Sequence, residues 1–388
     1  MGAASDAEDR FDRLKYRLFQ RLGMMKPVQI VPYRGFGQDQ AIYLKGRVLE
    51  DKGIRESTDK DTVWNNLLAT YKRFQSDEIP NVRIRARYRD EEQTVTTNSE
   101  GYFVVRMQPG TSLPPNRAWH GMELELLDEV VKGQGEVKIT GQFLVPPSLS
   151  LFGVISDIDD TVLVSDATSL LKMARLTFFN NARTRLPFEG VSAFYRALQS
   201  GPDHSLFNPI FYVSSSSWNL YDLLVDFFNV HGIPKGPLML RDLGFDKDNF
   251  LKSSHLGHKM VQIEHILITY PHLPFILIGD SGQHDPEIYR QVVIDFPGRI
   301  KAIYIREVTT EARRIQVEKL AAELKGLGVE MLLVKDTVAA ALHAAERGYI
   351  DPETIPEIRA AKKVDEGAET TEEISGTEEV PGTEEDQV

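Results

Sequence analysis

The stretch GVISDIDDT, residues 153–161, places Asp157, Asp159 and Asp160 within four positions, directly after an apolar run and just before Thr161. Like charges this close repel, and a carboxylate at the end of a buried strand is costly unless something offsets it. Further along, Ser214 ends the run PIFYVS and Asp280 ends FILIGD, with Asp285 five residues later. Lys259 lies between those two runs.

A hard cation removes the repulsion. Mg2+ takes oxygen ligands and is held by one or two carboxylates together with water and substrate phosphate. Asp157 and Asp280 are therefore the candidate direct ligands, with Asp285 supporting the site and Asp159 included in the candidate metal set, and Mg2+ is the expected cofactor. An EF-hand shares the D-x-D start but needs Gly at its sixth position and Glu at its twelfth. Val162 and Thr168 stand there instead, which excludes it.

With a phosphate ester as substrate, each residue has work to do. Asp157, at a strand tip, is the candidate nucleophile that forms an aspartyl-phosphate. Asp159 can protonate the leaving oxygen and then activate water. Ser214 and Lys259 can hold the non-bridging oxygens. Ser215, Ser216 and Ser217 follow Ser214, so the register of that hydroxyl is open.

Such residues meet only if their strands share one sheet. Beyond FLVPPSLSLFG, apolar strands alternate with helical segments near 167–179, 190–199, 218–231, 258–269, 285–294, 311–325 and 336–347. That alternation predicts an α/β fold with a doubly wound parallel sheet over 147–350, with ligands beyond the carboxyl ends of its strands. Residues 25–146 read differently. AIYLKGRVL, VRIRARY, GYFVVRM, MELELL and VKITGQFLV are short, often alternating segments that predict a β-sandwich-like domain. A helical insertion is expected near TVWNNLLATYKRF.

Residues 1–24 predict an amphipathic helix. Ser5 and Glu8 form a capping box, Phe11, Leu14, Leu18 and Leu22 make the apolar stripe, and Arg10, Arg13, Arg17 and Arg21 lie opposite. The stripe suits docking on the protein itself or on a membrane surface. Arg83, Arg85, Arg87 and Arg89 are expected on one strand face, where they can meet anionic lipid or pair with Glu123 and Glu125; pairing is the favoured reading. Residues 351–388 are expected to be an acidic disordered tail, with ten acidic and no basic residues from Asp365 onward.

The net charge of −12 argues against a general nucleic-acid binder. With no cysteine, disulfides, thiolate zinc sites and cysteine nucleophiles are excluded. The acidic start lacks a secretory h-region, and no apolar run reaches membrane-spanning length, so a cytoplasmic protein is expected, with peripheral contact to an anionic membrane as an option.

D-x-D-x-T after one strand, Ser after a second, then Lys, then an acidic pair after a further strand resembles the haloacid-dehalogenase-like phosphohydrolases. SDIDDTVLVSD, RTRLPFEGV, FYVSSSSWNLYDLL, PLMLRD, GHKMVQIEHIL and LIGDSGQHDPEIY further resemble the actin-patch-protein type of phosphatidate phosphatase, a branch related to lipin. This resemblance covers about residues 145 to 350, and the preceding β region resembles the N-terminal portion of bacterial members. It implies Mg2+-dependent removal of phosphate from phosphatidate. The gaps around the motifs are too short for a large cap domain, which suits a bulky or surface-bound substrate.

Thr161, Arg241 and His258 are the candidate substrate-binding residues. His255 also flanks Lys259, His284 sits between the two acids, and Arg241 can instead pair with Asp242. Trp218 reads as the buried cap of a helix, with a membrane-facing aromatic as the alternative. The competing functions are a phosphatase for phosphoproteins or other macromolecules and a non-enzymatic lipid-binding module. The presence of both Asp157 and Asp159 counts against the module.

Overall fold

The computed structural model describes residues 27–51, 78–158, 190–204, 207–241, 255–307 and 310–363. The expected helix over 1–24, the insertion near 62–74 and the segment near 167–179 lie outside the described residues, as does the chain beyond 363.

Eight strands precede residue 146: β1 (Val28–Pro32), β2 (Gly35–Gln38), β3 (Ala41–Glu50), β4 (Arg83–Tyr88), β5 (Glu91–Thr96), β6 (Tyr102–Met107), β7 (Trp119–Leu126) and β8 (Lys138–Leu144). They hydrogen-bond as one sheet in the order β1-β3-β2-β8-β7-β4-β5, with β6 on β3. The expected sandwich would divide them between two sheets. Here hydrogen bonds link all eight through the ten-residue β3, which pairs with β1 and β2 through its two halves and with β6 along much of its length. Ile42, Leu44, Ile84, Ala86, Phe103, Met122, Leu124 and Phe143 form the core beneath.

On β4, Ile84, Ala86 and Tyr88 are buried while Arg83, Arg85 and Arg87 take the other face, the alternation a half-buried strand requires. Arg89 is a correction to the expected row of four. It sits in the hairpin turn that pairs Tyr88 with Glu91, with φ of 54°, off the strand.

The second sheet is fully parallel: β9 (Gly153–Asp157), β10 (Ile210–Ser217), β11 (Leu238–Arg241), β12 (Phe275–Asp280), β13 (Ile300–Arg306) and β14 (Glu330–Val334), in the order β11-β10-β9-β12-β13-β14. Its helices are α1 (Val191–Ser200), α2 (Tyr221–Val230), α3 (His255–Thr269), α4 (Asp285–Asp295), α5 (Glu311–Gly326) and α6 (Thr337–Glu346). Val154, Tyr212, Ile278 and Tyr304 pack with α1, α2 and α6. Ile155, Val213, Leu277 and Ile303, the residues adjacent to them on the same strands, pack with α3, α4 and α5. Helices thus cover both faces, which is why the strands read as continuous apolar runs.

The two sheets also share contacts. Phe36 on β2 meets Phe211 edge-on with ring centroids 5.8 Å apart, and Tyr33 stacks on Trp218 at 4.6 Å. Residues 351–363, assigned to the tail by the sequence reading, instead form a 3-10 turn and a helix. Ile358 is buried, and Lys362 bonds Asp336 at 2.7 Å. Gly190, at φ of 73°, opens α1 so close to the Lys362 backbone that a side-chain carbon there would crowd it.

Candidate active site

β9 is buried along its whole length and ends at Asp157. Val213 of β10 pairs with Asp157 on one side, and Ile278 of β12 pairs with Ser156 on the other. Counted along the chain, the strand order runs 3-2-1-4-5-6, so the direction of winding reverses between β9 and β12. Ligand crevices of parallel sheets open at such a reversal, beyond the carboxyl ends. Asp157 and Asp280 are the last residues of those two strands.

Asp285 opens α4 and folds back over β12, where its Oδ2 accepts the Asp280 amide at 3.1 Å. A side-chain carbon at Gly279 would collide with the Asp285 carboxylate, so this approach requires glycine. Asp280 Oδ1 accepts from the amides of Gly282 (2.6 Å) and Gln283 (3.1 Å), which fixes the loop between β12 and α4. Lys259, in the first turns of α3, reaches into the cluster. Its Nζ lies 2.7 Å from Asp157 Oδ1 and 2.8 Å from Asp285 Oδ1, and it donates to Gln283 Oε1 at 3.0 Å.

Asp157, Asp280, Asp285 and Lys259 are all nearly inaccessible to solvent. Three carboxylates share one ammonium, leaving two formal negative charges uncompensated by it. At an effective dielectric of about 20, two unit charges 4 Å apart interact by about 4 kcal/mol. The groups respond accordingly. Burial, then the charge of Asp285, push the Asp157 carboxyl well above the usual carboxylate range, against the pull of Lys259. Burial and Asp285 also raise Asp280, against the amides that hold it. Burial works to lower Lys259, but Asp157 and Asp285 outweigh it and raise the ammonium above its ordinary value.

Each of the three aspartates offers a ligand oxygen, and these atoms lie within 4.8 Å of one another. A set of carboxylate oxygens with excess negative charge is the donor chemistry of a hard divalent cation. These residues fit Mg2+.

The serine run lies on the same edge. The pairing of β10 with β11 is regular at Val213, then shifts before Ser217. Ser214 is fully buried, and its Oγ accepts the Ser216 amide at 3.0 Å. Ser215 Oγ is buried without a hydrogen-bond partner among the described residues. Ser217 Oγ accepts from the Asn219 amide at 3.3 Å and opens the 3-10 turn Trp218–Leu220.

Lys259, Asp280 and Asp285 thus gather around Asp157, and Ser214 follows Val213, the residue paired with Asp157 on β10. Asp159 and Thr161, and also Asp242, lie outside the described residues. Arg241 ends β11, two strands from β9, beside Ser217. His258 is half-buried in the first turn of α3, while His284 is exposed at the start of α4. Trp218 is buried, as the helix-cap reading expects.

Two residues escape sequence reasoning. Gln283 holds Lys259, and Arg313 of α5 donates to the carbonyls of Ser281 (3.0 Å) and Gln283 (2.7 Å) while pairing with Glu287. Arg313 therefore clamps the loop between Asp280 and Asp285. No local pattern marks it, because its helix is charged along much of its length and its partners lie about thirty positions away.

Residues 152–307 match the family model described as phosphatidate phosphatase APP1, catalytic domain. The chain is 34% identical over 155 residues to phosphatidate phosphatase APP1 of Saccharomyces cerevisiae, covering 40% of this chain and 25% of that protein. An uncharacterized protein of Schizosaccharomyces pombe is 28% identical over 259 residues, covering 63% of this chain and 40% of that one. The chain thus spans between a quarter and two fifths of the length of these relatives. Among solved structures, a carbohydrate acetylesterase from Xanthomonas citri aligns over 77% of this chain and 66% of its own, at 13% identity and a TM-score of 0.29, a likeness that carries no argument.

Proposed function

We propose that this chain, whose residues 152–307 match the phosphatidate phosphatase APP1 catalytic-domain model, is an Mg2+-dependent phosphatase acting on phosphatidate or a related lipid phosphate. The observation that carries the reading is the buried set of Asp157, Asp280 and Asp285 around Lys259, at the point where the sheet reverses its winding. The parallel strand order with helices on both faces also supports a haloacid-dehalogenase-like catalytic domain.

Mg2+, when bound, supplies positive charge to the non-bridging phosphate oxygens. Asp157, Asp280 and Asp285 would hold it, joined by Asp159 from the sequence reading. Lys259 keeps one oxygen of Asp157 oriented and leaves the other to attack phosphorus. The new bond makes an aspartyl-phosphate as the ester P–O bond breaks, and the departing alkoxide takes a proton from Asp159. Asp159 then takes a proton from water, which attacks phosphorus and releases Asp157 and inorganic phosphate. Ser214 or Ser215 donates to a phosphate oxygen. Thr161, Arg241 and His258 remain the candidates for further substrate contacts.

The arginine row adds nothing to a membrane-docking reading, because Arg83, Arg85 and Arg87 each pair with a carboxylate. No helix among the described residues is long and apolar enough to cross a membrane. Peripheral docking then rests on the amphipathic pattern of residues 1–24 and on the short gaps around the motifs, which leave no room for a large cap domain.

The deciding experiment offers the full chain, with MgCl2, phosphatidate in mixed micelles, phosphopeptides and soluble phosphate esters. Release of phosphate from phosphatidate with diacylglycerol as the co-product is expected. Efficient cleavage of phosphopeptides with phosphatidate inert would replace the lipid assignment and keep the phosphatase. Binding of phosphatidate without phosphate release from any of these compounds would leave a lipid-binding module.

A further inference from the structure

We infer that the first sheet is a positioning element for the active site: Tyr33, Lys45 and Arg47 hold the turn Trp218–Leu220 and, through it, the serine run beside Asp157. The catalytic meaning of this brace rests on the proposed phosphatase reading; the brace itself does not.

The register between β10 and β11 shifts between Val213 and Ser217, so the serine run lacks continuous pairing on that side, although Ser217 itself pairs with Arg241. The next residues are gripped from across the interface. Arg47, on β3, is buried and spends its donors in three directions: Nη1 to Asn219 Oδ1 at 2.7 Å, Nε to the Glu100 carbonyl at 2.8 Å, and Nη2 to Glu78 Oε1 at 2.8 Å. Two of those bonds fix the guanidinium to the first sheet's own loops, and the third points it at the turn. Lys45, only 2% exposed, lies 4.6 Å over the Trp218 ring and 4.7 Å over the Tyr102 ring. Tyr33 stacks on Trp218 at 4.6 Å, and the Tyr221 hydroxyl accepts the Arg34 amide at 2.8 Å.

Burying two cations is costly in itself. Here both face the same short turn, Arg47 through a charge-assisted hydrogen bond beside its ion pair with Glu78 and Lys45 through a cation–π contact, interactions that offset part of that cost. The turn begins at the residue after Ser217, so a displacement of Asn219 or Trp218 passes directly into Ser214–Ser217.

The test uses the full chain and three variants. Asn219→Ala removes the acceptor for Arg47. Asn219→Asp keeps an acceptor and gives Arg47 an opposite charge. Tyr33→Leu removes the stack on Trp218 from the other side and serves if Asn219→Ala does not fold. Amide hydrogen exchange in peptides covering 214–221 should speed up about tenfold in Asn219→Ala, the factor expected for losing one charged hydrogen bond, and by a similar or smaller factor in Tyr33→Leu, which loses an aromatic stack. Peptides covering β9 and β12 should not change. Inorganic phosphate should inhibit these variants about tenfold more weakly, with KM raised more than kcat is lowered, and Asn219→Asp should restore both within about twofold. Unchanged exchange over 214–221, or faster exchange spread equally over β9 and β12, overturns the brace. Localised exchange changes in a chain with no phosphatase activity leave the brace standing and sink the phosphatase reading instead.

Discussion

On β4, Arg83, Arg85 and Arg87 stand beside Asp128, Glu125 and Glu92, at 2.7 Å, 3.0 Å and 2.8 Å respectively. At the ends of β9 and β12, Asp157 and Asp285 pair with Lys259 while Asp280 lies beside them, and among the described residues no other cation joins the three acids. Both regions crowd like charges at two- to five-residue spacing. On β4 each arginine has a carboxylate beside it, with Glu92 also reached by Arg85, and solvent near at hand, so such pairs contribute little and salt weakens them further. In the cluster, solvent is excluded and the acids outnumber the base. Charge density in the sequence is therefore no measure of function. A surplus of one sign, buried, is what calls for a ligand.

The sharpest way to break the comparison is Asp157→Asn, which removes the proposed nucleophile while keeping its shape. Turnover should fall by on the order of a thousandfold or more, with circular dichroism unchanged. Labelled substrate should leave a hydroxylamine-sensitive phosphoryl adduct on the wild type alone. If the variant keeps most of its activity, the covalent mechanism is wrong.

Next comes the metal. Excess EDTA should silence the enzyme and magnesium restore it. Asp280→Ala should raise the Mg2+ concentration for half-maximal activity at least about tenfold. Mg2+ should also raise the melting midpoint of the wild type and leave that of the variant nearly unmoved. Full activity in excess chelator removes the cofactor from the account.

pH separates the two regions by sign. Asp157 and Asp280 have raised folded-state values, first by burial and then by Asp285. Their contribution to stability is fully present below the ordinary carboxylate value and is lost as pH rises through the raised one. Asp128 and Glu125 are held low by the hydrogen bonds of Arg83 and Arg85. Their contribution is present above the ordinary value and is lost as pH falls through the lowered one. In metal-free melts between about pH 5 and about pH 8, Asp280→Asn should therefore gain stability over wild type toward the upper end. A gain confined to the acid end would reverse the assignment.

The smallest effect belongs to the arginine row. Arg85→Gln should leave turnover and the Mg2+ requirement unchanged and barely move the melting midpoint, less still in high salt. A large loss of activity would mean that this face does more than pair its own charges.

Much of the second sheet was legible because its signals are local. GVISD, PIFYVS and FILIGD are apolar runs that end in a polar group, and their helices carry the 3.6-residue pattern. β1, β2 and β5 were not among the strands read. GFGQ is short and glycine-rich, and EEQTVT has no apolar face; β5 exists because the hairpin turn at Arg89 delivers it to β4. The serine register was undecidable for a related reason. Four identical residues carry no periodicity, and the shift in β10 pairing is settled by its neighbouring strand.

By itself, then, the sequence determined which residues could carry the chemistry and that they lie at strand ends or helix starts, since residue type and short-range period are properties of neighbouring positions. Only the tertiary structure decided which carboxylates converge on Lys259, that Gln283 and Arg313 fix the loop beside them, and that Arg47 reaches Asn219 across 172 positions of chain. Those pairings depend on how distant faces pack. A charge is compensated by whatever lies within a few ångströms in space, and no spacing along the chain encodes that.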